Sequence, residues 1–308
     1  MGSAHVPVLH QEAIEALQIK PAGRYVDATY GRGGHSKLLL SKLGAEGQVL
    51  ALDRDPEAII NAQQQFNDES RFEIVKANFD QLDTVLASRK WLGTLDGLLL
   101  DVGVSSPQLD VAERGFGFSR DGALDMRMDP HSGQSAAEWL SGVSENDLID
   151  VLKTFGEERY AKRIARAIVE QRTLAPITGT SQLAEIVKVA HPRWERHHHP
   201  ATRSFQAIRI FINDELGALQ RVLAHATTAL KPGGRLAVIS FHSLEDRIVK
   251  RALRKPPPDP SIPRHLPQPP TAEHPWRLIG KPVKASEQEL GVNPRARSAI
   301  MRVAERVA

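Results

Sequence analysis

The sequence contains no cysteine in 308 residues, which excludes disulfides, iron–sulfur clusters, thiolate-bound zinc and thiol nucleophiles together. It also lacks any apolar run near the roughly 20 residues of a membrane span, and its N-terminus lacks the apolar core of a secretory signal. No membrane partner and a cytoplasmic location are therefore expected. Charge of one sign is scarce overall, at +3, and aromatic residues make up only 5%. The small excess is uneven: residues 242–308 carry 13 Lys and Arg against 7 Asp and Glu, while the first 241 sum to −3. A basic tail on a nearly neutral chain permits a polyanionic partner without demanding one. With 41% hydrophobic and 25% charged residues, the chain can build a packed core, and its length suits about two domains of roughly 100–200 residues.

The first hundred residues alternate short apolar runs with helical patterns. Strands are expected at 24–30, 48–53, 72–76 and 95–102, with helices at 35–43 and from Pro56 to about Phe66. Near-continuous apolar strands separated by helices predict a parallel sheet covered on both faces, an α/β fold. From 109 to 202 no strand pattern is convincing. Helices are expected at 136–140, 145–155, 157–171 and 181–190, with Asp and Ser near several of their starts as caps. This stretch is predicted to be an inserted helical domain, leaving 1–108 and 203–308 for the sheet domain. A single long helix is expected over 204–230, carrying Ile208, Phe211, Ile212, Leu216, Leu219 and Leu223 on one stripe. Lys231-Pro-Gly-Gly234 would turn it into a strand at 235–241, followed by a helix at 244–255. The proline-rich segment 256–275 is expected to be an extended loop. Closing strands are expected at 276–279 and 298–304.

Ligands of open α/β sheets bind beyond the carboxyl ends of the strands, near the switch in strand order. After the first strand comes Asp27-Ala-Thr-Tyr-Gly31-Arg-Gly33-Gly34-His35, whose glycines let a ligand approach the backbone. Asp53 ends the second strand 22 residues past Gly31, the place for a carboxylate that holds ribose hydroxyls. This pairing fits a dinucleotide as well as S-adenosylmethionine. It also fits a plain glycine turn. The fourth strand ends in Asp101-Val-Gly-Val-Ser105-Ser106-Pro107-Gln108. A strand-end carboxylate followed by a Ser/Pro turn resembles the Ser-Pro-Pro-aromatic signature of amino-group methyltransferases, although Gln108 stands where the aromatic is usual. Acceptors belong at such a turn because an exocyclic amine is delocalised into its ring. Hydrogen bonds from its N–H groups raise its reactivity toward an in-line sulfonium methyl. An ordinary turn is the bland alternative.

Nine motifs then fall in the order of one family. They are Gly31-Arg-Gly-Gly-His-Ser36, Ala51-Leu-Asp-Arg-Asp-Pro56, Asp101-Val-Gly-Val-Ser-Ser-Pro-Gln-Leu109, Glu113-Arg-Gly-Phe116, Leu124-Asp-Met-Arg-Met-Asp-Pro130, Gly156-Glu-Glu-Arg159, Pro200-Ala-Thr-Arg-Ser-Phe-Gln-Ala207, Ser240-Phe-His-Ser-Leu-Glu-Asp-Arg247 and Asn293-Pro-Arg-Ala-Arg-Ser298. Together they resemble the RsmH or MraW family of bacterial small-subunit ribosomal RNA cytosine-N4 methyltransferases across nearly the whole chain. The resemblance implies a Rossmann-like class I methyltransferase sheet with an inserted all-helical domain, and S-adenosylmethionine as cofactor. It implies N4-methylation of one cytidine in the decoding region of 16S ribosomal RNA, within the small subunit. It carries cofactor binding to Gly33, Gly34, His35, Asp53, Phe79, Asp101 and Gln108. In that assignment Asp53 takes the ribose hydroxyls, Asp101 the ammonium group, and Phe79 packs on adenine.

Other features have bland and functional readings side by side. His197-His-His199 tempts a metal assignment, but three adjacent histidines cannot converge on one ion from a regular element and no carboxylate cluster accompanies them; no metal is expected. His242 follows the fifth strand and is a candidate for lining the base pocket or for capping the next helix. Arg159, Lys162, Arg163 and Arg166 recur at helical spacing in the insertion, with Arg203 just beyond it, and Arg295 and Arg297 sit in the tail. Each is an RNA-phosphate candidate whose alternative is a solvated charged face. Two other classes compete with the methyltransferase. A nicotinamide-dependent dehydrogenase is disfavoured because Ser36 replaces the third glycine of G-x-G-x-x-G. A non-catalytic RNA-binding factor is disfavoured by the intact motifs.

Overall fold

A computed structural model describes residues 7–193, 199–255 and 274–307. Most of the proline-rich segment, together with His197 and His198, lies outside the described residues. In chain order, α1 (His10–Leu17) precedes β1 (Arg24–Asp27), α2 (Gly34–Lys42), β2 (Gln48–Asp53), α3 (Pro56–Gln65), β3 (Phe72–Lys76), α4 (Leu82–Arg89) and β4 (Leu95–Asp101). Six helices follow: α5 (Ser106–Asp110), α6 (Ala136–Gly142), α7 (Glu145–Gly156), α8 (Ala161–Leu174), α9 (Thr180–Ala190) and α10 (Thr202–Asn213). The chain then runs through α11 (Glu215–Ala229), β5 (Leu230–Ser240), α12 (Ser243–Leu253), β6 (Trp276–Leu278), β7 (Val283–Lys284), α13 (Glu287–Val292) and β8 (Ile300–Arg306).

The strands form one sheet in the order β3-β2-β1-β4-β5-β8-β6, with β7 also paired to β8. The pairs from β3 through β5 are parallel, and β8 runs antiparallel to β5, β6 and β7. Chain order reverses between β1 and β4, which puts the ligand-binding crevice of such sheets beside the carboxyl ends of those two strands. Successive residues of a strand face opposite sides of the sheet, and the cores divide that way. Val26, Leu50, Leu98 and Leu100 pack with Leu219 and Val222 on one face. Tyr25, Val49 and Leu99 pack with Leu17 and Leu39 on the other. Because both faces are covered, β4 is apolar nearly throughout, and its one residue left partly open is Asp101.

The chain divides into residues 1–103 with 216–308, and residues 104–215. The expected division at 108/109 and 202/203 is therefore moved, because α10 packs into the helical unit: Phe205, Ala207 and Ile208 share a core with Leu148, Leu152, Ile164 and Leu183. The long helix expected over 204–230 is two helices. Asp214 takes φ 49° and breaks it. Just before the break, the Asn213 amide donates to the Met126 carbonyl and accepts from Met128 N, at 2.7 and 2.8 Å. The apolar stripe continues in period across the break but serves two cores: Ile208 belongs to the helical one, Leu219 and Leu223 to the sheet. The helix expected from 157 starts instead at Ala161, since Glu157 is left-handed (φ 49°) and Glu158 Oε1 accepts from Tyr160 N in the intervening turn. Lys231-Pro-Gly-Gly234 lies inside β5, where the β4 ladder jumps from Leu95↔Leu230 to Gly97↔Arg235. The last strand begins at Ile300, after a 3₁₀ turn over Pro294–Ser298.

Candidate active site

The carboxyl ends of β1 and β4 are joined by a closed ring of polar contacts. Asp27, fully buried at the end of β1, accepts from Ser36 Oγ at 2.7 Å and from Thr29 N at 3.3 Å. Thr29 Oγ1 in turn accepts from Asp101 N at 2.7 Å. Asp101 Oδ2 lies 3.5 Å from His35 Nε2, a charge contact longer than a well-formed hydrogen bond. His35 and Ser36 are consecutive in α2, which closes the ring. The other Asp101 oxygen, Oδ1, is buried without a hydrogen-bond partner among the described residues. Burial pushes the Asp27 carboxyl up against the pull of His35 and Ser36. For His35, burial favours the neutral imidazole, but Asp101 and Asp27 outweigh it and the value rises above 6.5.

Beside this ring lies the glycine turn. Gly31 takes φ 57° and Gly33 φ 72°, conformations that glycine adopts without strain. A Cβ on Gly33 would fall 2.6 Å from the Tyr30 ring, and one on Gly34 would fall 2.1 Å from Pro7. Gly31 N donates to Asp53 Oδ2 at 2.8 Å, and Asp55 N to Asp53 Oδ1 at 2.9 Å. Despite these two donors, burial pushes Asp53 up to about 6. Phe79 opens a 3₁₀ turn after β3 and is half-buried against the sheet core. Its neighbour Asn78 starts that turn in a capping box with Gln81, whose Oε1 accepts from Asn78 N at 3.1 Å, while Asp80 is engaged by Arg221 at 2.7 Å. Gly33, Gly34, His35, Asp53, Phe79 and Asp101 thus all sit in the sheet unit, at or just beyond the ends of β1 to β4.

Gln108 and the Ser105-Ser106-Pro107 turn belong to the helical unit. There Ser105 caps α5, Pro107 occupies its first turn, and Gln108 Oε1 reaches back to accept from Ser105 N at 2.9 Å. This is a capping box, so the residues form a helix start as well as a candidate amine-binding turn. His242 follows β5 and precedes α12. Its Nε2 lies 3.1 Å from Glu245 Oε1, while Glu245 Oε2 accepts from Phe241 N at 2.7 Å and His242 N at 3.2 Å. Both of its candidate roles therefore stay visible: it starts a helix, and its ring is held at the strand ends.

Among the cationic candidates, Arg159, Lys162, Arg163, Arg166 and Arg203 are exposed on the helical unit. Arg166 is paired with Glu170 at 2.9 Å, and the Arg159 guanidinium lies over the Tyr160 ring at 5.8 Å. Arg295 and Arg297 are exposed on the 3₁₀ turn before β8. His199 supports the local structure, since its Nδ1 accepts from Ala201 N at 3.2 Å and its ring packs on Phe118. No group of three or more metal-ligating side chains occurs among the described residues, and no described helix is long and apolar enough to cross a membrane.

Sequence reasoning gives no role to Asp27, Thr29, Ser36 or Glu245. Asp27 carries the same signal as Asp53 and Asp101, an acidic residue ending an apolar strand. Ser36 stands out in the sequence only as a missing glycine.

The family model described as the MraW methylase family matches residues 2–307. The chain is 55% identical over 307 residues to the Ribosomal RNA small subunit methyltransferase H of Thioalkalivibrio sulfidiphilus (strain HL-EbGR7), covering 99% of this chain and 98% of that one. Solved structures align at much lower identity. An rRNA methylase from Streptococcus thermophilus gives TM-score 0.42 at 11% identity, over 99% of this chain and all (100%) of that one. A SAM-dependent methyltransferase from Aquifex aeolicus gives 0.40 at 11%, over 97% and 90%. The assignment rests on the family model and the 55% identical relative, and it sets aside the dehydrogenase and the non-catalytic readings. The chain belongs to the MraW methylase family, and it is a methyltransferase whose methyl donor is S-adenosylmethionine.

Proposed function

We propose that the chain methylates the exocyclic N4 amine of one cytidine in the decoding region of 16S ribosomal RNA, in the context of the small subunit. The observation that carries the RNA substrate is the 55% identity, over 99% of the chain, with a relative named for methylation of small-subunit ribosomal RNA. The choice of nitrogen is what the family resemblance implies, and the chemistry is compatible with it. Carbon 5 of cytosine is a poor nucleophile until a thiolate adds to the ring, and this chain has no cysteine. The amine needs no covalent intermediate, only acceptors that draw on its N–H groups and an aligned methyl.

The sheet unit would hold the cofactor, which supplies an electrophilic sulfonium methyl when bound. The chemistry of the donor set suits it. Each Asp53 oxygen receives one backbone N–H and retains a lone pair for a ribose hydroxyl. Asp101 Oδ1, buried and without a partner among the described residues, suits the ammonium group. Gly33, Gly34 and the His35 backbone would line the amino-acid end. Phe79 would pack on adenine, a contact worth about 0.5–1.5 kcal/mol. We assign Gln108 to the same ligand and the Ser105-Ser106-Pro107 turn to the target amine, with His242 at the base pocket. A base inside structured RNA must be flipped or already unpaired to reach such a site. Arg159, Lys162, Arg163, Arg166 and Arg203, with Arg295 and Arg297, would grip the flanking phosphates.

The test is methyl transfer from isotopically labelled cofactor to small subunits and, in parallel, to naked 16S RNA, with nucleoside mass spectrometry of the product. N4-methylcytidine at a single position is expected. Label at carbon 5, at another base, or only on protein would refute the proposal.

A further inference from the structure

The two oxygens of Asp101 are not equivalent. Oδ2 faces His35 Nε2 at 3.5 Å, whereas Oδ1 is buried and has no partner among the described residues. The backbone of Asp101 is pinned separately, through its N–H to Thr29 Oγ1. With the backbone fixed, the carboxylate can still turn about its Cα–Cβ and Cβ–Cγ bonds, and the His35 ring faces its Oδ2. His35 is itself held rigidly. It is only 4% exposed, the next residue, Ser36, is hydrogen-bonded to Asp27, and the His10 ring meets it edge-on at 5.5 Å. His10 is tied down in turn by the Gly34 carbonyl at 3.0 Å. A buried histidine with neither ring nitrogen in a formed hydrogen bond is expensive to keep as packing alone.

We propose that His35 is a positioning residue whose side chain orients the Asp101 carboxylate, so that Oδ1 is presented to the ammonium group of S-adenosylmethionine. This goes beyond the backbone role given to His35 above, and it rests on the reading that Asp101 receives the ammonium. Preorganisation of this kind gains affinity because the carboxylate loses no rotational freedom on binding. The effect is confined to the amino-acid end of the ligand: the ribose and adenine are held by Asp53 and Phe79, which lie outside the ring.

That confinement gives the test. 5′-Methylthioadenosine keeps the adenine, ribose and sulfur of the cofactor but lacks its ammonium and carboxylate. Dissociation constants for both ligands are measured by calorimetry on the full chain. His35→Phe keeps an aromatic ring and removes the Nε2 contact with Asp101; as the carboxylate loses its preorientation, S-adenosylmethionine should bind on the order of tenfold more weakly. Methylthioadenosine should stay within about twofold. His35→Gln, whose amide nitrogen can stand in for Nε2, should recover most of the loss. Equal weakening of both ligands would mean that His35 merely fills space, and no weakening of either would mean that it does not orient Asp101. Both results overturn the proposal.

An Asp101→Asn arm separates this from the reading beneath it. If Asp101→Asn leaves the ratio of the two affinities unchanged, the ammonium assignment fails and the proposal falls with it. If that ratio changes while His35→Phe does nothing, the assignment stands and the role of His35 alone is refuted. Should His35→Phe not fold, the same question is put to the unmodified protein by NMR. The His35 ring resonances should shift when S-adenosylmethionine binds and stay in place with methylthioadenosine. Equal shifts with the two ligands refute the proposal.

Discussion

The backbone N–H of Gly31 donates to Oδ2 of Asp53 across 22 positions of sequence, at 2.8 Å. The glycine turn after β1 and the carboxylate that ends β2 are therefore one piece of structure, and the sequence motif that pairs a glycine loop with a distant acid has a direct physical cause here. The bond orients Asp53 before any ligand arrives. It also makes Asp53 responsible for the shape of the turn.

The first prediction follows from that double duty. Asp53→Ala should lower the affinity for S-adenosylmethionine and for methylthioadenosine alike. A charged hydrogen bond is worth roughly 1.5–3 kcal/mol, so the loss should be about ten- to a hundredfold. The pH dependence has a definite sign. Burial raises Asp53 to about 6 in the free protein, and the ionised form is the acceptor that ribose hydroxyls need. Affinity for methylthioadenosine should therefore be full above that value and fall as pH drops through it. Asp53→Asn should flatten the profile. A flat profile in the unmodified protein would remove Asp53 from the ribose site.

Gly33→Ala should damage fold and site together. The residue sits at φ 72°, and a Cβ would lie 2.6 Å from the Tyr30 ring. That ring cannot easily move aside, because its hydroxyl sits within hydrogen-bonding distance of both Asn61 Oδ1 and Gln65 Oε1, at 3.1 and 3.2 Å. Strain of this kind costs on the order of 1–3 kcal/mol. A thermal melt should show the loss directly, and cofactor affinity should fall as the turn shifts. An unchanged melting temperature would mean that the turn accommodates a side chain, and the close-approach argument would fail.

The sheet could be read from sequence because its strands are buried on both faces and so appear as apolar runs ending in acids: Asp27, Asp53, Asp101. The breaks could not. At Asp214 the helical period runs on unchanged, and what ends the helix is the Asn213 side chain reaching Met126 and Met128, more than 80 positions away. The polar ring was hidden for the same reason. Thr29 and Asp101 are 72 positions apart, and nothing local in Ala28-Thr-Tyr30 distinguishes a hydroxyl that will meet a neighbouring strand. Gln108 shows the reverse. Its motif position suggests a ligand contact, and the local sequence Ser-Ser-Pro-Gln also spells the capping box it forms.

His35 should titrate above 6.5 in the free protein. Burial is the largest influence and acts downward, but the charges of Asp101 and Asp27 together exceed it. Because the folded value is raised, the protonated ring contributes to stability fully below about 6.5, the unfolded value. That contribution is lost as pH climbs through the folded value. NMR titration of the His35 ring measures the shift, and Asp101→Asn should move the midpoint down. A midpoint that ignores this substitution would show that the two side chains are not electrostatically coupled.

The final prediction concerns the helical unit and distinguishes two arginines one turn apart. Arg163 and Arg166 are both exposed on α8, but Arg166 already pairs with Glu170 at 2.9 Å. An exposed pair of this kind adds little to stability, yet it partly cancels the charge that a phosphate would meet. If α8 grips the RNA backbone, Arg163→Glu should weaken RNA binding more than Arg166→Glu does, and Glu170→Gln should strengthen it slightly. Each lost phosphate contact should also reduce the slope of log affinity against log salt by about one. Cofactor affinity, to which none of these side chains is assigned, should stay constant through the series. Filter binding of 16S RNA across a salt range, with calorimetry of the cofactor alongside, reads both quantities. Equal effects at the two arginines, or none at either, would place the phosphate contacts off α8 and leave its charges as an ordinary solvated face.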